Sequence, residues 1–193
     1  KIDEGRIQVG NEEVIINSPN LSIKKGLVFV PEDRENQGLF IELKVRENIL
    51  IVILDQLLKK FRINREKEIK ITNELIKKIN IKVPDIEAEV KLLSGGNQQK
   101  VVLSKWFKKD AKIFILDEPT KGIDVASKVE IYEIIEELAL NGVGIILISS
   151  ELQELLEITD RIYVMREGEI TAEFFTKEVD QKKIMYAATA EGY

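Results

Sequence analysis

The sequence predicts an α/β fold: a parallel sheet with helices between its strands and an inserted helical region. Three observations carry that expectation. Short apolar runs at 27–30, 112–117 and 143–148 end at proline, acidic or serine residues, as buried strands of a parallel sheet do. Stretches of helical periodicity separate them, and alternation of the two element types defines the class. Residues 45 to about 108 carry only helical signals, so they read as an insertion. The expected division is therefore an α/β part over 1–44 and 109–193, with a helical part over 45–108.

The elements follow in order. Residues 5–16 alternate polar and apolar around Gly10-Asn11, as a hairpin does. Ser18-Pro19 opens a short helix over 18–25. Leu27-Val28-Phe29-Val30 reads as a fully buried strand stopped at Pro31, followed by a charged loop from Glu32 to Gly38. An apolar-rich helix is expected over 45–61. An amphipathic one is expected over 65–80, with Ile69, Thr72, Ile76 and Ile79 on one stripe. Pro84 and the acidic residues after it form a connector. Then come a helix after Ser94, the strand 112–117, a helix near 126–140, the strand 143–148 and a helix over 151–158. Two strands paired across Glu167-Gly168 and a last helix over 180–189 complete the order.

Composition narrows the chemistry. The chain has 193 residues, 44% hydrophobic and 33% charged, with a net charge of -5. Its lysines are scattered, which excludes a basic nucleic-acid stripe. There is no Cys, hence no disulfide framework and no thiolate metal site. There is no His, which removes the usual general base near neutral pH. No apolar run reaches the length of a membrane span.

Two segments point to phosphate chemistry. Leu93-Ser94-Gly95-Gly96-Asn97-Gln98-Gln99-Lys100 places a Ser-Gly-Gly turn at the start of a helix, where backbone N–H groups and the positive helix end attract an anion. Glycines let a phosphate approach the backbone, and Asn97, Gln98, Gln99 and Lys100 continue a polar mouth. The plainer alternative is an ordinary serine N-cap. The second segment, Lys112-Ile113-Phe114-Ile115-Leu116-Asp117-Glu118-Pro119-Thr120, ends a strand in two carboxylates. Asp117 suits a hard divalent cation and Glu118 suits alignment of an attacking water. For the pair alone, a strand-end turn before Pro119 explains it equally well; the spacing to Ser94 favours the phosphate reading. Ser150 and Glu32 end neighbouring strands and are expected at the same sheet edge. For Ser150 an N-cap remains open, and for Glu32 a surface carboxylate. No stretch reads G-x-x-x-x-G-K-[ST], so the loop that grips phosphates is expected outside this sequence.

These segments together resemble the ATP-binding subunits of ABC transporters. Leu93-Ser94-Gly95-Gly96 is similar to their signature motif, Leu116-Asp117-Glu118-Pro119-Thr120 to Walker B, and Gly122-Ile123-Asp124 to the D-loop. With Pro31-Glu32-Asp33-Arg34 and Ile148-Ser149-Ser150-Glu151-Leu152, the chain resembles the C-terminal ATP-binding half of tandem monosaccharide importers of the ribose and xylose type. The resemblance runs from just after the Walker A region to a C-terminal helix near 182–190. It implies an incomplete P-loop NTPase sheet of the ABC type with a helical subdomain. Ser150 stands at the switch-histidine position, Glu32 at the Q-loop glutamine, and Asn97 at the usual glutamine of the signature.

The resemblance also implies a working arrangement. Ser94, Gly95, Gly96, Asn97 and Gln98 would contact an ATP held by the N-terminal ATP-binding half of the same protein. Asp117 with Mg²⁺, Glu118 as catalytic residue, and Ser150, Asp124 and Glu32 would serve the other site. Partners would be transmembrane permease subunits and, indirectly, a sugar-binding protein, with no nucleic acid. The location would be the cytoplasmic face of the membrane. Two alternatives stand beside this one: a non-catalytic coupling module with a degenerate site of its own, and a DNA-repair ABC ATPase. The second would need coiled-coil arms between 32 and 94, where only short helices are expected.

Overall fold

A computed structural model describes residues 3–59 and 62–189; Ala190, expected in the last helix, lies outside them, as do residues 60 and 61. Contacts divide the chain into two units, residues 1–146 and 147–193.

The first unit opens with the hairpin β1 (Ile7–Val9) and β2 (Glu12–Val14), antiparallel with Val9 opposite Glu12. Gly10 turns it with φ +61°, a value glycine adopts freely. Helix α1 (Pro19–Lys24) is capped by Ser18, whose Oγ accepts the Leu21 N–H at 3.3 Å. Strands β3 (Leu27–Val30), β6 (Ile113–Asp117) and β7 (Gly144–Ile148) form a sheet in the order β3-β6-β7. β3 and β6 run parallel with Val30 opposite Leu116, so both end on one edge. Val28, Val30, Phe114 and Leu116 are buried on one face, but Phe29 is 50% exposed and Ile146 51%. The expected two-sided burial of β3 and β7 is therefore replaced by a one-sided pattern.

The helical region departs from expectation more. The single helix expected over 45–61 is broken into α2 (Val45–Leu50), a 3₁₀ turn (Ile51–Ile53) and α3 (Leu54–Leu57). The run Ile51-Val52-Ile53 supplies the physical reason, because consecutive β-branched side chains crowd a helical turn. A small antiparallel ribbon follows, β4 (Leu58–Lys59) with β5 (Arg62–Ile63), so the region is not all-helical. Ile49, Leu50, Ile53 and Leu57 are essentially inaccessible. Each such burial contributes about 1.5–3 kcal/mol.

Helix α4 (Arg65–Lys78) is capped by Asn64 and buries Glu68, Thr72 and Leu75. Of the expected stripe, Thr72 and Ile79 are buried, but Ile69 is exposed and Glu68 takes the inner place. It does so because Arg46 on α2 meets it at 2.8 Å and Arg65 at 3.3 Å. Glu87, in the connector, joins the same cluster through Arg46 at 2.9 Å and Lys44 at 2.8 Å. A 3₁₀ turn (Val90–Leu92) leads to α5 (Gly95–Ser104), which packs against α6 (Val125–Leu140). Lys100 on α5 is 1% exposed, donates to the Asn80 carbonyl at 2.8 Å and pairs with Glu130 of α6.

The second unit holds α7 (Leu152–Ile158), the antiparallel strands β8 (Arg161–Arg166) and β9 (Glu169–Phe175), and α8 (Gln181–Thr189). Glu167 and Gly168 both have positive φ, +52° and +87°, the signature of a tight two-residue hairpin turn. Ile162, Val164 and Ile184 form its core with Leu155, Phe174 and Val179 around them. No helix among the described residues is long and apolar enough to cross a membrane.

Candidate functional site

The first turn of α5 is the structural centre of the signature segment. Ser94 occupies the N-cap with extended backbone, φ -61° and ψ 156°, yet its side chain caps no amide of its own helix. Its exposed hydroxyl accepts from Asn97 Nδ2 at 2.9 Å. Asn97 Oδ1 in turn accepts the Lys82 N–H at 2.7 Å, fixing the stretch that follows α4 to this turn. The leading amides of any α-helix lack a carbonyl within that helix to bond, and here they stand beside an exposed serine.

The two glycines have different reasons to be glycine. A Cβ on Gly96 would lie 2.2 Å from Ser127 Oγ and 2.4 Å from Ser127 Cβ, so α5 and α6 touch through the missing side chain. A Cβ on Gly95 would lie 2.8 Å from Arg34 Nη2 and 3.4 Å from the Gly122 carbonyl and Ile123 Cγ2. Phosphate approach was the expected role of both, but for Gly96 helix contact alone requires it. Gln98 also departs from the expected polar mouth. It is 5% exposed, donates to the Val90 carbonyl at 3.4 Å and accepts from Arg34 Nε at 3.4 Å. Gln99 and Lys100 are buried as well. The helix turns them inward one turn after Ser94, where α6 and the Asn80 carbonyl receive Lys100.

At the ends of β3 and β6 the carboxylates gather. Asp117 closes β6 half-buried. Glu118 lies beyond the strand with φ +45°, a left-handed value uncommon outside glycine and asparagine. That turn, rather than strand alternation, sets its direction, and the Lys121 N–H closes it onto the Glu118 carbonyl at 3.1 Å. Glu32, exposed just past β3, is paired with the Lys121 ammonium. The Lys121 ammonium is held above its ordinary range, first by that hydrogen bond to Glu32 and also by the fields of Glu118 and Asp117. Glu32, Asp117 and Glu118 thus share one cationic neighbour.

Asp124 is the N-cap of α6: Oδ1 accepts the Ser127 N–H at 3.0 Å and Oδ2 the Ser127 hydroxyl at 2.7 Å. Those bonds hold its carboxyl below the ordinary aspartate value. Since Ser127 also abuts Gly96, Asp124 is tied to the signature turn through one residue. Ser150 belongs to the second unit and is exposed there. The N-cap of α7 falls to Glu151 rather than Ser150, and Ser149 Oγ accepts the Glu151 N–H at 3.0 Å.

Among the described residues no group of three or more His, Cys, Asp or Glu is arranged to hold a metal ion alone. Asp117 and Glu118 still fit a Mg²⁺ site of the kind completed by phosphate oxygens and water, which draws on one or two carboxylates. Sequence reasoning missed Arg34 as a site residue. Its contacts span separations of 64 and 87 residues, which local pattern does not reveal.

The fold is that of ATP-binding cassettes. A nucleotide-free cassette from an ABC transporter superposes with a TM-score of 0.79 at 23% identity, covering 99% of this chain and 79% of that one. A dimeric cassette in a post-hydrolysis state bound to ADP and Pi gives 0.71 at 19% identity, covering 90% and 74%. The chain belongs to the ABC transporter family, whose profile matches residues 1–121. It is 49% identical over 186 residues to a xylose import ATP-binding protein of Geobacillus kaustophilus, covering 96% of this chain and 37% of that protein. It is 48% identical over 189 residues to a ribose import ATP-binding protein of Caldanaerobacter subterraneus, covering 97% and 38%. The chain therefore spans less than two fifths of the curated relatives it matches.

Proposed function

We propose that this chain is the C-terminal ATP-binding part of a subunit that powers monosaccharide import, of the xylose or ribose kind named for its relatives. In this reading residues 1–44 and 109–193 form the α/β core and 45–108 the helical subdomain. Ser94–Gly96 complete an ATP site whose phosphate loop lies in an N-terminal ATP-binding half. The observation that carries it is the turn at Ser94: an exposed hydroxyl that caps nothing in its own helix, leading a helix whose first turn is held from two sides.

The residues act as follows. The Ser94 hydroxyl and the leading amides of α5 donate to the terminal phosphate of ATP and stabilise charge on it during transfer. Asn97 orients Ser94 through the 2.9 Å bond, and Gln98 acts from inside the helix rather than on the nucleotide. For the second site, Glu118 orients the attacking water and Asp117 would hold Mg²⁺, which supplies charge neutralisation when bound. Asp124 holds the start of α6, Glu32 leads the segment toward transmembrane permease subunits, and Ser150 takes the phosphate-sensing position. A sugar-binding protein delivers cargo to those permeases, and the subunit sits at the cytoplasmic face of the membrane. Nucleic acid has no role.

The test is ATP hydrolysis by the assembled importer carrying Ser94→Arg. The residue is exposed, so folding is expected to survive while turnover falls at least about a hundredfold, the lower end for losing one transition-state donor. Unchanged turnover contradicts the composite site.

A further inference from the structure

We propose that Arg34 is the positioning residue that locks the Glu32 segment, the signature turn and the turn after β6 into one moving piece. The proposal rests on the composite-site reading above. One guanidinium reaches all three places. Nη1 donates to the Lys121 carbonyl at 2.9 Å, Nε donates to Gln98 Oε1 at 3.4 Å, and Nη2 stands 2.8 Å from where a Gly95 Cβ would be. Both terminal nitrogens lie 4.0 Å from the equivalent point on Gly122. A planar fork with N–H groups in fixed directions serves such divergent acceptors; a lysine ammonium, a point charge on a flexible stem, does not.

The rest of the segment keeps the same company. Arg34 begins a π-type turn (Arg34–Gly38) whose N-cap, Asp33, accepts the Asn36 N–H at 3.1 Å. At its far end a Cβ on Gly38 would lie 3.1 Å from Val102, and the Gly38 carbonyl accepts from the buried Lys105. Residues 34–38 therefore lie along α5 from its first turn to its last. Gln98 extends the tie to the turn before Ser94 through the Val90 carbonyl at 3.4 Å. When a partner displaces the Glu32 segment, α5 and residues 121–122 follow, and the distance between Ser94 and the Asp124 cap is preserved.

That placement fixes the kinetic signature. The piece is completed around the phosphate only as the site closes, so weakening it lowers kcat and leaves the KM for ATP nearly unchanged. The experiment uses the full-length protein in its assembled importer, with Arg34→Lys, Gln98→Leu and the parallel control Ser94→Arg. Steady-state kinetics are paired with amide hydrogen exchange at residues 95–98 and 121–124. Arg34→Lys is expected to lower kcat about tenfold, the effect of losing a charge-assisted hydrogen bond, with KM within about twofold. Exchange is expected to quicken at both segments together. Adding Gln98→Glu to Arg34→Lys is expected to restore part of kcat, because a carboxylate can recapture the ammonium. Gln98→Leu is expected to quicken exchange near Ser94 and leave residues 121–124 slow. Wild-type kcat in Arg34→Lys, or faster exchange at only one of its two segments, overturns the proposal. If Ser94→Arg silences turnover while Arg34→Lys behaves as wild type, the positioning role fails and the composite site stands. If Ser94→Arg leaves turnover intact, the composite site itself fails and the positioning role falls with it.

Discussion

The ion cluster between α2 and α4 and the carboxylates at the ends of β3 and β6 use the same residue types in opposite ways. In the cluster, Glu68 is 6% exposed and bonded to Arg46, itself 6% exposed, at 2.8 Å. At the sheet edge, Glu32 and its partner Lys121 are both exposed. A buried carboxylate without its guanidinium would be an uncompensated charge, so the cluster is committed to the fold. An exposed lysine is solvated whether or not it is paired, so Glu32 is committed to the fold far less than Glu68 is. Polar residues committed to the fold and polar residues at the sheet edge differ here in burial and in the kind of cation beside them.

The comparison breaks most visibly at Glu68. Glu68→Ala strands Arg46 with one fewer partner and is expected to cost about 3 kcal/mol, the lower end for breaking a buried pair. Urea unfolding measures it. Gly96→Ala follows: alanine favours a helix by about 1 kcal/mol over glycine, yet overlap with Ser127 reverses the sign. A net loss of about 2 kcal/mol is expected for such overpacking, and pairing it with Ser127→Gly should recover most of it. Gly95→Ala crowds the tip of Arg34 and meets the Gly122 carbonyl and Ile123 Cγ2 at 3.4 Å, without the backbone-adjacent overlap found at Gly96, and should cost less than Gly96→Ala.

Acid supplies the third probe. Glu87 is pulled from 4.5 down to about 2, first by its hydrogen bond to Arg46 and then by that to Lys44. A depressed carboxyl contributes stability that is fully present above its unfolded pKa and is lost as pH falls through its folded one. Stability should therefore decline between about pH 4.5 and pH 2, and Glu87→Gln should flatten that decline in acid unfolding curves. The smallest effect belongs to Lys121→Ala, which should leave the urea unfolding curve nearly unchanged, because exposed pairs contribute little to stability. A loss as large as that of Glu68→Ala would erase the distinction between the two regions.

Much of the architecture was legible because local chemistry dictates it. Gly10-Asn11 and Glu167-Gly168 turn their hairpins, Ser18-Pro19 starts α1, and the apolar run before Asp117 forms β6. The break at Ile51-Val52-Ile53 was hidden because apolar periodicity continues through it. The inner face of α4 was misread because a charged Glu68 outcompetes Ile69 once Arg46 is beside it. In the candidate site, the placing of Ser94 at a helix start and of Asp117 and Glu118 at a strand end could be read from the sequence. The burial of Gln98 could not, nor the contact of Gly96 with Ser127, because α6 begins some thirty residues further on in the chain. Arg34 sat within a recognisable segment, yet only the folded chain assigns it partners.

In the proposed arrangement the Ser94 turn meets the terminal phosphate of an ATP held elsewhere in the full-length protein. Orthovanadate trapped with Mg-ATP occupies that phosphate position, and ultraviolet light then cleaves the backbone beside it. In the assembled importer, cleavage is expected at residues 94–96, dependent on nucleotide and abolished by Ser94→Arg. Vanadate inhibition of hydrolysis with no cleavage in this turn would contradict it.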